Sequence, residues 1–142
     1  MPQYKITVEG IAAPKSLSVT KHGAYNNKRV RSWMDVVRDT ALTERPLKAP
    51  EGIPVALMLD VWLPWPKRTA KKVISADPNA LHTKKPDADN ILKPIVDGLT
   101  EAGFWEDDNQ LSQIYVEKKY CPPGEERIEA VITWGKKTLS KA

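Results

Sequence analysis

The sequence predicts a single α+β domain over residues 1–142, a mixed β-sheet with two helices packed against it. Three observations carry that expectation. Two apolar runs repeat at helical spacing, strand-like runs stand before, between and after them, and a length of 142 residues suits one domain that buries most of its own apolar surface.

Residues 3–9 alternate, with Tyr4, Ile6 and Val8 on one face and Lys5, Thr7 and Glu9 on the other, so a first strand ends near Gly10. From Ile11 to Asn27 the punctuation of Pro14, Gly23, Asn26 and Asn27 predicts a loop or an irregular hairpin. Val30, Trp33, Met34, Val37 and Ala41 then fall three and four apart, an amphipathic helix over 28–41 whose other face carries Arg29, Arg31 and Arg38. Val55 to Leu63 is apolar and β-prone and reads as a central strand, stopped by Pro64-Trp65-Pro66. A long stretch without a period follows up to Pro86. Such loops are uncommon in compact domains and tend to be functional or disordered. This one carries Lys67, Arg68, Lys71, Lys72, Lys84 and Lys85, which suits either a solvated loop or a nucleic-acid contact.

A second helix spans 88–102, with Ile91, Leu92, Ile95, Val96, Leu99 and Ala102 on one face and Gly103 as its stop. Pro94 crowds the carbonyl four residues back, which predicts a bend, or a late start beyond a cap at Asp89 or Asn90. Strands over 111–120 and 127–133, joined by Pro122-Pro123-Gly124, read as a hairpin.

Twenty-two Lys plus Arg against 18 Asp plus Glu give a net charge of +4, which favours a polyanionic partner without requiring one. Cys121 is the one cysteine, so an intrachain disulfide and a cysteine zinc cluster are both excluded. The N-terminus leads into an alternating segment and not an apolar leader, and no run approaches the ~18 apolar residues of a membrane span. A soluble, cytoplasmic protein without a membrane partner is expected.

The densest chemistry lies in Lys85-Pro86-Asp87-Ala88-Asp89-Asn90, followed by Lys93, Asp97 and Trp105-Glu106-Asp107-Asp108. With Asp87 in the extended approach and Asp89 at the helix cap, both carboxylates can aim the same way, whereas in mid-helix they would diverge by roughly 200°. Asp107-Asp108 can meet them only if the following strand doubles back. Carboxylates gathered in one cleft repel, and a hard divalent cation, magnesium first, is the usual compensation. A plainer reading stands beside this one. Asp89, Lys93, Asp97 and Glu101, spaced by four, also fit a solvated stripe whose pairs each contribute ~0.2–0.5 kcal/mol, with Asp107-Asp108-Asn109 a polar turn. An EF-hand fails, because Ile91, Leu92 and Gly98 fall where a ligand, the turn glycine and the bidentate acid belong. His22 and His82 are too isolated for a zinc site or a Ser-His-Asp triad.

The run Lys85-Pro86-Asp87-Ala88-Asp89-Asn90, then Lys93, Asp97-Gly98-Leu99, Gly103-Phe104-Trp105 and Asp107-Asp108-Asn109-Gln110, resembles the signature region of RusA-type Holliday-junction resolvases. The resemblance implies a RusA-like fold in which Asp87, Asp89 and Asp108 are catalytic acids that coordinate magnesium, or manganese in its place. It implies that Lys93 is a functional lysine, leaves the role of Asp107 open, and implies a homodimer that binds four-way DNA junctions and resolves them by two symmetric nicks. One departure is Pro14-Lys15-Ser16-Leu17-Ser18-Val19, thinner in charge than its counterparts. Basic residues of the 64–86 loop and the first helix could then supply attraction to phosphate, with less junction preference.

In that reading the metal activates water and neutralises phosphate charge while Lys93 donates to the phosphate, and Asn90 caps the helix. Trp33, Trp62 and Trp134 suit packing, and Trp65 suits stacking on exposed bases. The rivals are a less selective nuclease for flaps and branched DNA, and a noncatalytic DNA-binding accessory protein. The latter would be marked by a lost acid, and none of the three acids is lost.

Overall fold

The computed structural model describes residues 3–15, 17–20, 23–26, 28–44, 46–65, 81–83 and 86–135. Strand β1 (Gln3–Glu9) is followed by a short antiparallel pair, β2 (Leu17–Thr20) and β3 (Gly23–Asn26), and by helix α1 (Lys28–Leu42). Then come β4 (Val55–Pro64), helix α2 (Ala88–Ala102), a 3-10 turn (Asp108–Gln110), β5 (Leu111–Cys121) and β6 (Arg127–Trp134). The main sheet has the order β1-β6-β4-β5. It is mixed, since β6 lies antiparallel to β1 and β4 while β5 runs parallel to β4. The expected mixed sheet with two helices is therefore present.

The expected 111–133 hairpin is not. β5 and β6 follow each other in the chain but do not pair, because β4 lies between them. The reason is burial. Val55, Leu57, Leu59, Val61 and Leu63 of β4 are all buried, and a strand with so much apolar surface gains most in the middle of the sheet. The helix-facing side of the sheet joins Ile6, Val8, Ile128, Ala130 and Ile132 to Trp33, Val37 and Ala41 of α1 and to Ile91, Ile95 and Leu99 of α2 in one core. Trp62 is not in that core as its strand position had suggested. It lies partly exposed with the Arg127 guanidinium 4.0 Å and the Lys119 ammonium 4.9 Å from its ring centroid.

Helix α2 neither starts late nor breaks at Pro94. It begins directly after Asp87, whose carbonyl accepts from the Ile91 N–H at 3.1 Å, so Asp87 is the N-cap and Asn90 lies inside the first turn. Pro94 has no N–H to offer the Asn90 carbonyl, and the Lys15 backbone N–H takes that carbonyl instead at 2.6 Å. The helix stays continuous because the segment after β1 satisfies the acceptor that proline strands.

Gly98 sets how closely the helices approach. A Cβ at this position would stand 3.0 Å from the Met34 carbonyl oxygen and 3.0 Å from both Cβ and Cγ1 of Val37. Gly98→Ala is therefore expected to destabilise the fold by about 1 kcal/mol, since overpacking of ~1–3 kcal/mol outweighs a helix-propensity gain of ~1 kcal/mol. Urea unfolding reads this as a lower midpoint at unchanged slope. A higher midpoint would mean that α1 yields to the methyl group.

Candidate active site

The acidic text divides between the start of α2 and the 3-10 turn before β5, and different devices hold the two parts. The approach to Asp87 is tied to β5 by the Lys118 ammonium, which donates to the Pro86 carbonyl at 2.8 Å. Asp87 has extended dihedrals, and its carboxylate makes no capping hydrogen bond. Asp89 follows in the first turn, and both residues are exposed.

The turn is pinned by Gln110, a buried polar side chain that sequence reasoning did not single out as structural. Its amide donates to the carbonyls of Pro50 at 2.9 Å and Ile53 at 3.1 Å, and its oxygen accepts from the N–H groups of Glu106 at 2.9 Å and Asp107 at 3.3 Å. All four hydrogen-bonding positions of the amide are used. Asp107 caps the turn, its carboxylate accepting from the Asn109 N–H at 3.0 Å. That gives Asp107 a structural job and leaves Asp108 as the outward acid. An Asp followed three residues later by Gln is a readable capping-box signal. Directly after the turn, the register of β5 against β4 shifts from Val55↔Leu111 to Ala56↔Gln113, so Ser112 is an extra residue in the ladder.

Where α2 crosses β5 the two parts meet. Asp89, Leu92, Lys93 and Val96 of the helix, Asp108 of the turn, and Leu111 and Ile114 of β5 line a pocket of about 220 Å³. Asp89 and Asp108 are thus brought to one cavity, whereas Asp87 stands just outside its lining. The Lys93 ammonium lies 3.0 Å from Asp108 Oδ2 and 3.1 Å from Asp97 Oδ1. The Asp108 hydrogen bond, and then that of Asp97, raises the Lys93 pKa, and the same Lys93 contact chiefly lowers that of Asp108. Both groups are charged at neutral pH.

The simple four-residue charge stripe is not what forms. Lys93 pairs with Asp97 but reaches across to Asp108, while Glu101 turns to α1, where Arg31 Nη1 donates to its Oε2 at 2.9 Å. Arg31 also holds Asp35, and Arg38 lies against Asp35, Asp39 and Glu101. Arg31 and Arg38 are thus engaged by acids of the protein itself, whereas Arg29 on the same helix is exposed. Of the basic loop, residues 66–80 together with Lys84 and Lys85 lie outside the described residues, as does His22. Trp65, the stacking candidate, is half-buried, and its backbone N–H bonds the Cys121 carbonyl at 3.0 Å. His82 packs against Tyr120 with ring centroids 4.6 Å apart and the rings tilted by 41°. Cys121 is buried, with its thiol pushed up to about 11 by burial, so it stays protonated and inert.

The donor set suits a hard cation. Asp89 and Asp108 offer carboxylate oxygens in one pocket, and a cation, the Lys93 ammonium, already rests on Asp108. Among the described residues, no three acids converge closely enough to enclose an ion as the side chains stand. Closure therefore requires the exposed carboxylates at the start of α2 to rotate inward. No helix among the described residues is long and apolar enough to cross a membrane. A family model described as endodeoxyribonuclease RusA matches residues 8–133, nearly the whole chain. A comparison with curated proteins gives no match.

The Arg31–Glu101 contact joins the two helices beside the site. Arg31 holds the pKa of Glu101, and likewise that of Asp35, below the ordinary carboxylate range. A depressed folded pKa means stability that is present above the unfolded value and lost as pH falls through the folded one. Glu101→Gln should cost about 0.5 kcal/mol at neutral pH, the worth of a screened surface pair, and the gap to wild type should narrow as pH falls below the ordinary glutamate range and close once the folded carboxyl is protonated. Urea unfolding at neutral pH and along an acid series checks this. A gap that persists in acid would show that the carboxylate charge is not its source.

Proposed function

The chain belongs to the RusA endodeoxyribonuclease family, and on that premise we propose that it resolves four-way DNA junctions by nicking two opposed strands, with magnesium held by Asp87, Asp89 and Asp108. The observation that carries this reading is the shared pocket of Asp89 and Asp108, two acids from separated stretches that face one cavity beside Lys93. Bound there, magnesium, or manganese in its place, would supply a Lewis acid that activates water and neutralises phosphate charge.

The chain's own residues do the rest. Asp89 from the helix and Asp108 from the turn would provide hard oxygen donors, and Asp87 would join them by turning its exposed carboxylate toward Asp89. Lys93, on a flexible stem, donates to a phosphate oxygen as charge grows there. Leu92, Val96 and Leu111 give the pocket an apolar wall, which strengthens each of these interactions by thinning the water around them. A homodimer would present two such pockets related by a two-fold axis, matching the two equivalent strands of a junction.

Purified protein with magnesium is expected to convert a synthetic four-way junction into nicked duplexes, and Asp87→Asn is expected to lower the rate by at least about a hundredfold, as loss of a group that stabilises the transition state does. Gel electrophoresis of end-labelled strands reads both. Equal cutting by the two proteins would count against the assigned acids. Linear duplex or flap cut as fast as the junction would leave a less selective nuclease. Tight junction binding without cleavage at any magnesium or manganese concentration would leave a binding protein.

A further inference from the structure

One ammonium here serves two carboxylates. Lys93 Nζ lies 3.0 Å from Asp108 Oδ2 and 3.1 Å from Asp97 Oδ1, so it bridges the turn before β5 and its own helix one turn on. Only one of these acids lies in the pocket with Asp89. Asp108 lines that pocket and the neighbouring cavity as well, whereas Asp97 lines the neighbouring cavity, together with Arg31, Glu101, Asp107 and Asp108. Asp97 is therefore placed to hold Lys93 from outside the pocket that Asp89 and Asp108 share. Its neighbour Glu101 takes up Arg31 and Arg38, which leaves the Asp97 carboxylate to Lys93.

A divalent ion and an ammonium repel, and they compete for the same Asp108 oxygen. When the ion arrives, Lys93 must leave Asp108, and the energetic cost of that departure depends on where the ammonium goes. We propose that Asp97 is a positioning residue that retains the Lys93 ammonium when Asp108 exchanges it for a divalent cation, so that the pocket loads its metal without losing the lysine from the site. The proposal rests on the metal reading given above. With Asp97 in place the displaced ammonium keeps one of its two partners at the pocket rim, within reach of a phosphate. Without it, Lys93 has Asp108 as its remaining carboxylate partner and opposes metal entry.

The bland alternative is an ordinary i,i+4 surface pair that touches stability and nothing else. Calorimetric titration with manganese alone, without DNA, separates the two. The proteins are wild type, Asp97→Asn, Lys93→Met and the double variant. Asp97→Asn, nearly isosteric and at the surface, is expected to weaken ion binding about two- to fivefold, the worth of an exposed ion pair. Lys93→Met is expected to tighten binding by removing the competitor. In the Lys93→Met background the further change Asp97→Asn should have little effect, because no lysine remains to be held.

Unchanged affinity in Asp97→Asn overturns the proposal. Equal weakening with and without Lys93 overturns it too, since Asp97 would then act through its own charge on the ion. A wild-type protein that binds no ion removes the metal reading itself, whereas ion binding indifferent to Asp97 removes only this inference.

Discussion

Strand β5 lies parallel to β4, and a parallel neighbour cannot be reached by a tight turn. The chain must travel back along the sheet before it can enter β5, and a helix is the usual vehicle for that return. Here the vehicle is α2. The crossover fixes the site: its first residues after the loop bring in Asp87 and Asp89, and its last residues before β5 bring in Asp108. Acids that a hairpin would have sent to unrelated places are drawn to one rim, where α2 crosses the sheet edge.

Local devices then hold the crossover in place. Lys118 secures the Pro86 carbonyl, the Lys15 N–H satisfies the acceptor that Pro94 leaves stranded, and Gln110 stitches the turn to the 50–54 loop with two hydrogen bonds to that loop and two to Glu106 and Asp107. Gly98 lets α2 sit close against α1, and Arg31 ties the two helices at Glu101. None of these groups need touch DNA. Their effect is to leave a few side chains, Asp87, Asp89, Lys93 and Asp108, at the surface of a scaffold held by its own hydrogen bonds and packing. Rigid support beneath exposed acids is what preorganised electrostatics requires.

Much of this was legible in the residues. The spacing of Ile91, Leu92, Ile95, Val96, Leu99 and Ala102 with Gly103 behind them marks the buried face and the end of α2, because an amphipathic face and a left-handed cap are local properties. Strand pairing is not local, and Pro122-Pro123-Gly124 reads equally well as a hairpin turn or as a wider bridge over β4. Pro94 looked like a break because its remedy, the Lys15 N–H, lies on a distant segment. The charge stripe on α2 was open for the same reason, since Lys93 and Glu101 found partners on the turn and on α1 that periodicity cannot reveal. Asp107 was separable from Asp108 in principle, through the capping-box spacing to Gln110.

The account depends on the carboxylates of Asp89 and Asp108 closing on one ion, with Asp87 turning in to complete the set. Anomalous diffraction from crystals grown with manganese tests that most directly. A peak between Asp89 and Asp108, with the Asp87 carboxylate rotated toward it and the Lys93 ammonium drawn off Asp108, is the expected result. A pocket without a peak at saturating manganese, or an ion bound only by residues elsewhere, would contradict it.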